Sequence, residues 1–223
     1  MPSPTLDFVD VMPEQAHNAT VIWLHGLGDS GNGFAPIVPE LRLPSDAGIR
    51  FIFPHAPVRP ITINNGMPMR AWYDIRSLEI EQRADLEGVL ASAASVEALI
   101  DNEIANGIKP EKILLAGFSQ GGVIAYQVGL RYKKPLAGIL ALSTYMSESS
   151  KLSEQGSTEN KEIPLFVCHG QYDEVVQPTL GKMAFDALIG TGYNATWKDY
   201  PMQHNVCAEE IADISQWIQQ RLL

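Results

Sequence analysis

The sequence predicts an α/β fold, with a mostly parallel central sheet and helices on both faces. Three observations predict it. Short, near-continuous apolar runs at 21–24, 50–53, 113–116, 138–142 and 165–169 lack polar alternation, as strands buried on both faces do. Longer segments with apolar residues three and four apart lie between several of them. Most of the runs stop at glycine, proline or histidine, where loops begin. No repeat, low-complexity tract or linker divides the chain, so 1–223 is expected to be a single domain.

In chain order, 5–11 alternates roughly apolar and polar and is expected to be a half-exposed antiparallel strand. The run 21–24 is a buried strand that opens into the glycine-rich loop 25–31, and a helix is expected around 34–41. Residues 50–53 form the next strand, and 57–69, rich in Pro and Asn, is expected to be an irregular surface excursion. Within 83–106, Leu86, Val89, Leu90, Ala93, Val96, Ile100 and Ile104 make one face of a long helix, ended by Gly107 and Pro110. Strand 113–116 leads into a long apolar helix beginning near 123, and strand 138–142 follows. The polar stretch 143–163 is expected to be a loop. Strand 165–169, helix 179–189, strand 195–200 and a helix carrying Cys207, Ile211, Ile214, Ile218 and Leu222 complete the chain. Glu209 and Glu210 at the start of that helix and Arg221 near its end suit its dipole.

Composition excludes several classes. A net charge of −10 argues against nucleic acid and anionic membrane surfaces as partners. The apolar content of 45% and charged content of 19% are those of a soluble globular protein. No apolar run is long enough for an integral membrane segment, and 1–15 lacks the basic and apolar regions of a secretory signal. Cytoplasmic localisation is the default expectation, with Cys168 and Cys207 as free thiols. No His, Cys or Asp cluster has metal-site spacing, so no metal is expected.

The chemistry gathers around Gly117-Phe118-Ser119-Gln120-Gly121-Gly122, between a strand and a helix. Glycines two positions either side of the serine allow a sharp turn that holds Ser119 in a strained backbone. This is the Gly-x-Ser-x-Gly nucleophile elbow of the α/β-hydrolase fold. In a parallel sheet, loops at the carboxyl ends of the strands share one edge. Ser119, Asp173 and His204 each follow a predicted strand there, in the chain order the elbow fold expects. Ser119 is the expected nucleophile, His204 its base, and Asp173 the group that orients the imidazole. His25 and His169 are expected to orient loops, His17 and His55 to lie in loops, and Asp29 to serve a turn. Asp74 and Asp199 lack the position a triad acid needs. The backbone amides of Leu27 and Gln120 are the expected oxyanion donors, since 25–28 is the only glycine loop at the right place.

These stretches, with Ala71-Trp72-Tyr73-Asp74 and His169-Gly170, together resemble the phospholipase/carboxylesterase family, which includes acyl-protein thioesterases and small bacterial carboxylesterases. The likeness runs from about Thr20 to the C-terminus. It implies a compact α/β-hydrolase without a separate lid domain, acting on a small acyl ester or thioester with no cofactor. It also implies the triad and the two amides named above. Family members include dimers, so a homodimer is compatible with the resemblance. Loops flanking the site shape the acyl groove in this family, and Ile61, Ile63, Met67 and Met69 are expected to line it, unless they only pack their own loop. A carboxylesterase is the leading expectation, with an acyl-protein thioesterase or lysophospholipase second. A non-catalytic binding protein on the same fold would show a broken triad, and a cysteine hydrolase would need Cys where Ser119 stands.

Overall fold

The computed structural model describes residues 6–14, 16–77 and 84–223. Thr5 and Arg83, expected to open a strand and a helix, lie outside these residues. Among the described residues the strands are β1 (Phe8–Val11), β2 (Ala19–Leu24), β3 (Ile49–Pro54), β4 (Val58–Ile61), β5 (Met67–Arg70), β6 (Ile113–Phe118), β7 (Gly138–Leu142), β8 (Pro164–Gly170) and β9 (Asn194–Tyr200). The helices are α1 (Gly31–Phe34), α2 (Ile37–Glu40), α3 (Leu86–Ala105), α4 (Gln120–Gly129), α5 (Leu152–Gln155), α6 (Pro178–Gly190) and α7 (Ala208–Leu222).

Seven strands form one sheet in the order β1-β3-β2-β6-β7-β8-β9. Only β1 is antiparallel, paired with β3. Side chains alternate across a strand, so β2 feeds both layers. Ile22 and Leu24 enter the core beneath α3 and α4, while Val21 and Trp23 enter the core beneath α7. Every residue of β2 and of α4 is buried, which is why both read as continuous apolar runs.

Three expectations are corrected. The helix expected around 34–41 is two short pieces, because Pro36 lies at the break and has no N–H to continue the ladder. The excursion 57–69 contains a two-stranded antiparallel ribbon, β4–β5, with Ile61 opposite Met67. Asn65 (φ 55°) and Gly66 (φ 74°) turn it, an Asn-Gly signal for a hairpin that the surrounding prolines mask. The stretch 143–163 holds α5, anchored by buried Leu152.

Candidate active site

Ser119 sits where β6 ends and α4 begins, at φ 53° and ψ −119°. A non-glycine residue held there stores about 1–3 kcal/mol of strain. The neighbouring glycines show why no larger residue fits. A Cβ on Gly117 would lie 2.4 Å from the Gly121 carbonyl oxygen, and one on Gly121 would lie 2.3 Å from that of Leu24. The elbow is pinned on both sides: the Ser119 amide donates to the Leu142 carbonyl at 2.9 Å, and the Thr144 hydroxyl donates to the Ser119 carbonyl at 2.6 Å.

Ser119 Oγ lies 3.0 Å from His204 Nε2, and His204 Nδ1 lies 2.7 Å from Asp173 Oδ2. Asp173 Oδ1 accepts from the amides of Val175 and Val176, each at 2.9 Å. Burial pushes the Asp173 carboxyl up, but its bonds to His204 and to these amides outweigh that and hold it below the usual carboxylate range. An ionised carboxylate only accepts, so Nδ1 carries the imidazole proton and Nε2 presents a lone pair to Ser119. The imidazole packs on the Phe118 ring, 4.7 Å between centroids.

His169 supports this arrangement from below. Its Nε2–H donates to the Val176 carbonyl at 2.8 Å, fixing the loop whose amides hold Asp173. Burial lowers its pKa, so it stays neutral. The ring presses on α6, where a Cβ on Gly181 would lie 2.3 Å from His169 Nδ1.

The two expected oxyanion amides belong to peptides that are each held by the carbonyl end. The Gly26 carbonyl accepts from His25 Nδ1 at 2.7 Å, and His25 Nε2 accepts from the Ala56 amide at 3.0 Å, which fixes the tautomer. Burial lowers the His25 pKa and keeps the ring neutral. A trans peptide is planar, so the Leu27 N–H points away from His25. The Ser119 carbonyl is held by Thr144 in the same way, which directs the Gln120 N–H away from Thr144. That N–H opens α4 and has no partner within the helix. Gly26 lies against the elbow, where a Cβ on it would sit 3.4 Å from Ser119 Cβ.

Residues 7–222 match the family described as Phospholipase/Carboxylesterase. The chain belongs to this family. It is 43% identical over 215 residues to acyl-protein thioesterase 1 of Neurospora crassa, covering 92% of this chain and 88% of that one. It is 38% identical over 235 residues to acyl-protein thioesterase 1 of Cryptococcus neoformans var. neoformans, covering 98% of each. The crystal structure of Zea mays acyl-protein thioesterase 2 superposes with a TM-score of 0.87 at 32% identity, over 97% of this chain and 99% of that one. The α/β-hydrolase architecture expected from the elbow is thus that of the family.

Within this phospholipase/carboxylesterase chain, the four expected groove residues differ in exposure. Ile61 is 0% exposed in the core beneath α3, because it faces inward from β4, so it has no surface to offer a groove. Ile63 and Met67 are exposed, and Met69 packs partly buried beside Gly28. A cleft of about 540 Å³ instead opens between Leu86 and Val89 of α3, Met146 and Glu148 after β7, and Met183 of α6. None of the four lines it. Asp29 accepts from the Ser30 amide at 2.7 Å as a turn residue, and Asp74 holds the Thr62 amide at 2.8 Å across the ribbon. Sequence reasoning missed Thr144, whose hydroxyl meets the carbonyl of a residue 25 positions earlier, and the Val175 and Val176 amides, which close a local turn onto the Asp173 carboxylate. Among the described residues, no group of three or more His, Cys, Asp or Glu is placed to hold a metal ion. Among them too, no helix is long and apolar enough to cross a membrane.

Proposed function

We propose that this chain is a serine hydrolase that cleaves carboxylic esters of acyl chains through an acyl-enzyme on Ser119. The observation that carries the reading is the continuous line of hydrogen bonds from Ser119 Oγ through His204 to Asp173, at 3.0 and 2.7 Å. His204 Nε2 takes the hydroxyl proton as Oγ attacks the acyl carbonyl. The oxyanion that forms accepts from the Leu27 and Gln120 amides. The proton passes to the leaving alcohol or thiol, and a water activated by the same nitrogen then releases the acid. Asp173 stays ionised and stabilises the imidazolium between the two transfers. The acyl chain lies along Leu86, Val89, Met146 and Met183 in a cleft whose remaining wall is the polar segment 147–150, which follows β7, the parallel neighbour of the strand that ends just before Ser119.

A second reading, thioester hydrolysis on acylated proteins, is favoured by one observation: the relatives at 36–43% identity are named acyl-protein thioesterases. The catalytic sequence is unchanged, and only the leaving group differs. Labelling with a fluorophosphonate probe tests the shared core. Wild type should react and Ser119→Ala should not; an unlabelled wild type would end the proposal. Turnover across p-nitrophenyl esters and acyl thioesters of increasing length separates the two readings.

A further inference from the structure

The two proposed oxyanion donors come from different parts of the chain, one from the loop after β2 and one from the start of α4. Their separation must be fixed to better than an ångström, since misplacement of that size costs about a hundredfold in rate. One residue touches both supports. The Trp72 backbone amide donates to Gln120 Oε1 at 2.8 Å, and Gln120 Nε2 returns a bond to the Tyr73 carbonyl at 2.7 Å. The Gln120 side chain is thus held by both ends on one dipeptide. The Trp72 indole N–H reaches the other way and donates to the His25 carbonyl at 2.8 Å. The indole and imidazole rings lie 5.3 Å apart at 41°.

His25 O is also the point where the elbow helix comes close. A Cβ on Gly121 would lie 2.7 Å from it. Glycine lets α4 press against one side of this carbonyl while the indole satisfies its lone pair from the other. Trp72 is 0% exposed, and its own carbonyl accepts from the Ser92 hydroxyl on α3. The tie is therefore anchored to a long helix rather than to a mobile loop.

We infer that Trp72 is a positioning residue that sets the distance between the Leu27 and Gln120 amides, acting through the His25 carbonyl and the Gln120 side chain. The inference rests on the proposed hydrolase reading, because it needs an oxyanion to form between those amides. It makes a specific demand: loss of the indole N–H should weaken the transition state and leave ground-state binding alone.

The test uses Trp72→Phe, which keeps an aromatic ring and removes the donor. Expected results are a kcat lower by about tenfold or more, a KM within about twofold of wild type, and a parallel loss of affinity for an acyl trifluoromethyl ketone, whose adduct with Ser119 mimics the tetrahedral intermediate. A structural role alone would lower the melting temperature and spare that pattern. Should Trp72→Phe not fold, Ser92→Ala loosens the same anchor more gently and should shift kcat and ketone affinity in the same direction. A folded variant with unchanged kcat and ketone affinity, or one in which only KM moves, overturns the inference. Failure of the hydrolase reading looks different, because wild type itself would then neither take the fluorophosphonate nor bind the ketone.

Discussion

Glu210 offers a measurable consequence of burying a carboxyl without partners. It lies in the first turn of α7, just after the loop that carries His204, and is 0% exposed. Neither carboxyl oxygen has a hydrogen-bond partner among the described residues. Burial pushes its pKa from an ordinary 4.5 up to about 8; the Cys207 amide opposes this and Asp213 adds to it. The Cys207 amide lies close enough to favour the charge without the geometry of a hydrogen bond. The folded chain then keeps a proton that the unfolded chain releases, so stability falls as pH rises from about 4.5 to about 8 and levels off above. The whole displacement is worth at most about 5 kcal/mol, and the part between about pH 5 and 8 is on the order of 3 kcal/mol. Glu210→Gln keeps the shape and removes the titration. Urea unfolding of both proteins across that range should show a downward slope in wild type that the variant lacks by roughly this amount. Other titrating groups are common to both and cancel. Identical slopes would mean that Glu210 is ionised in the native state, and the argument from burial would be wrong.

Other substitutions read other parts of the structure. Asp173→Asn should lower kcat by about 10⁴-fold with little change in fold, because an amide no longer holds Nδ1 as the donor; steady-state kinetics with a p-nitrophenyl ester reads this. Gly121→Ala places a methyl 2.3 Å from the Leu24 carbonyl oxygen and should cost more than about 3 kcal/mol, seen as loss of soluble folded protein or a sharply lower denaturant midpoint. Glu103 is fully buried on α3 and accepts from Arg50 at 2.7 Å and Thr20 at 2.6 Å. Glu103→Ala should cost about 3–5 kcal/mol in urea unfolding while leaving kcat and KM near wild type, since Thr20, the second residue of β2, pairs with Ile113 at the sheet end away from Ser119.

Much of this protein is legible along the chain. The runs that became β2, β6, β7 and β8 are aliphatic because parallel strands are covered on both faces, and covering leaves no polar alternation to misread. The elbow is legible because its glycines answer contacts with Gly121, Leu24 and Thr144 that no larger residue survives. The ribbon β4–β5 was not legible, since Pro60 and Pro68 face each other across it and proline argues locally against strands. Nor was the burial of Ile61: an isoleucine in a Pro- and Asn-rich stretch gives no sign of which way it points. Thr144 and Trp72 act through backbone carbonyls of residues far away in sequence, and a one-dimensional pattern carries no trace of such a contact.

The sequence by itself determined the strand and helix periods and the residue types able to do acyl chemistry, because periodicity and glycine demand are local properties. Tertiary structure alone decided which imidazole nitrogen faces Ser119, how two peptides are turned to aim their amides, and which apolar side chains line a cleft. Those outcomes depend on distances between segments that meet only when the sheet closes, and on burial that no single segment controls.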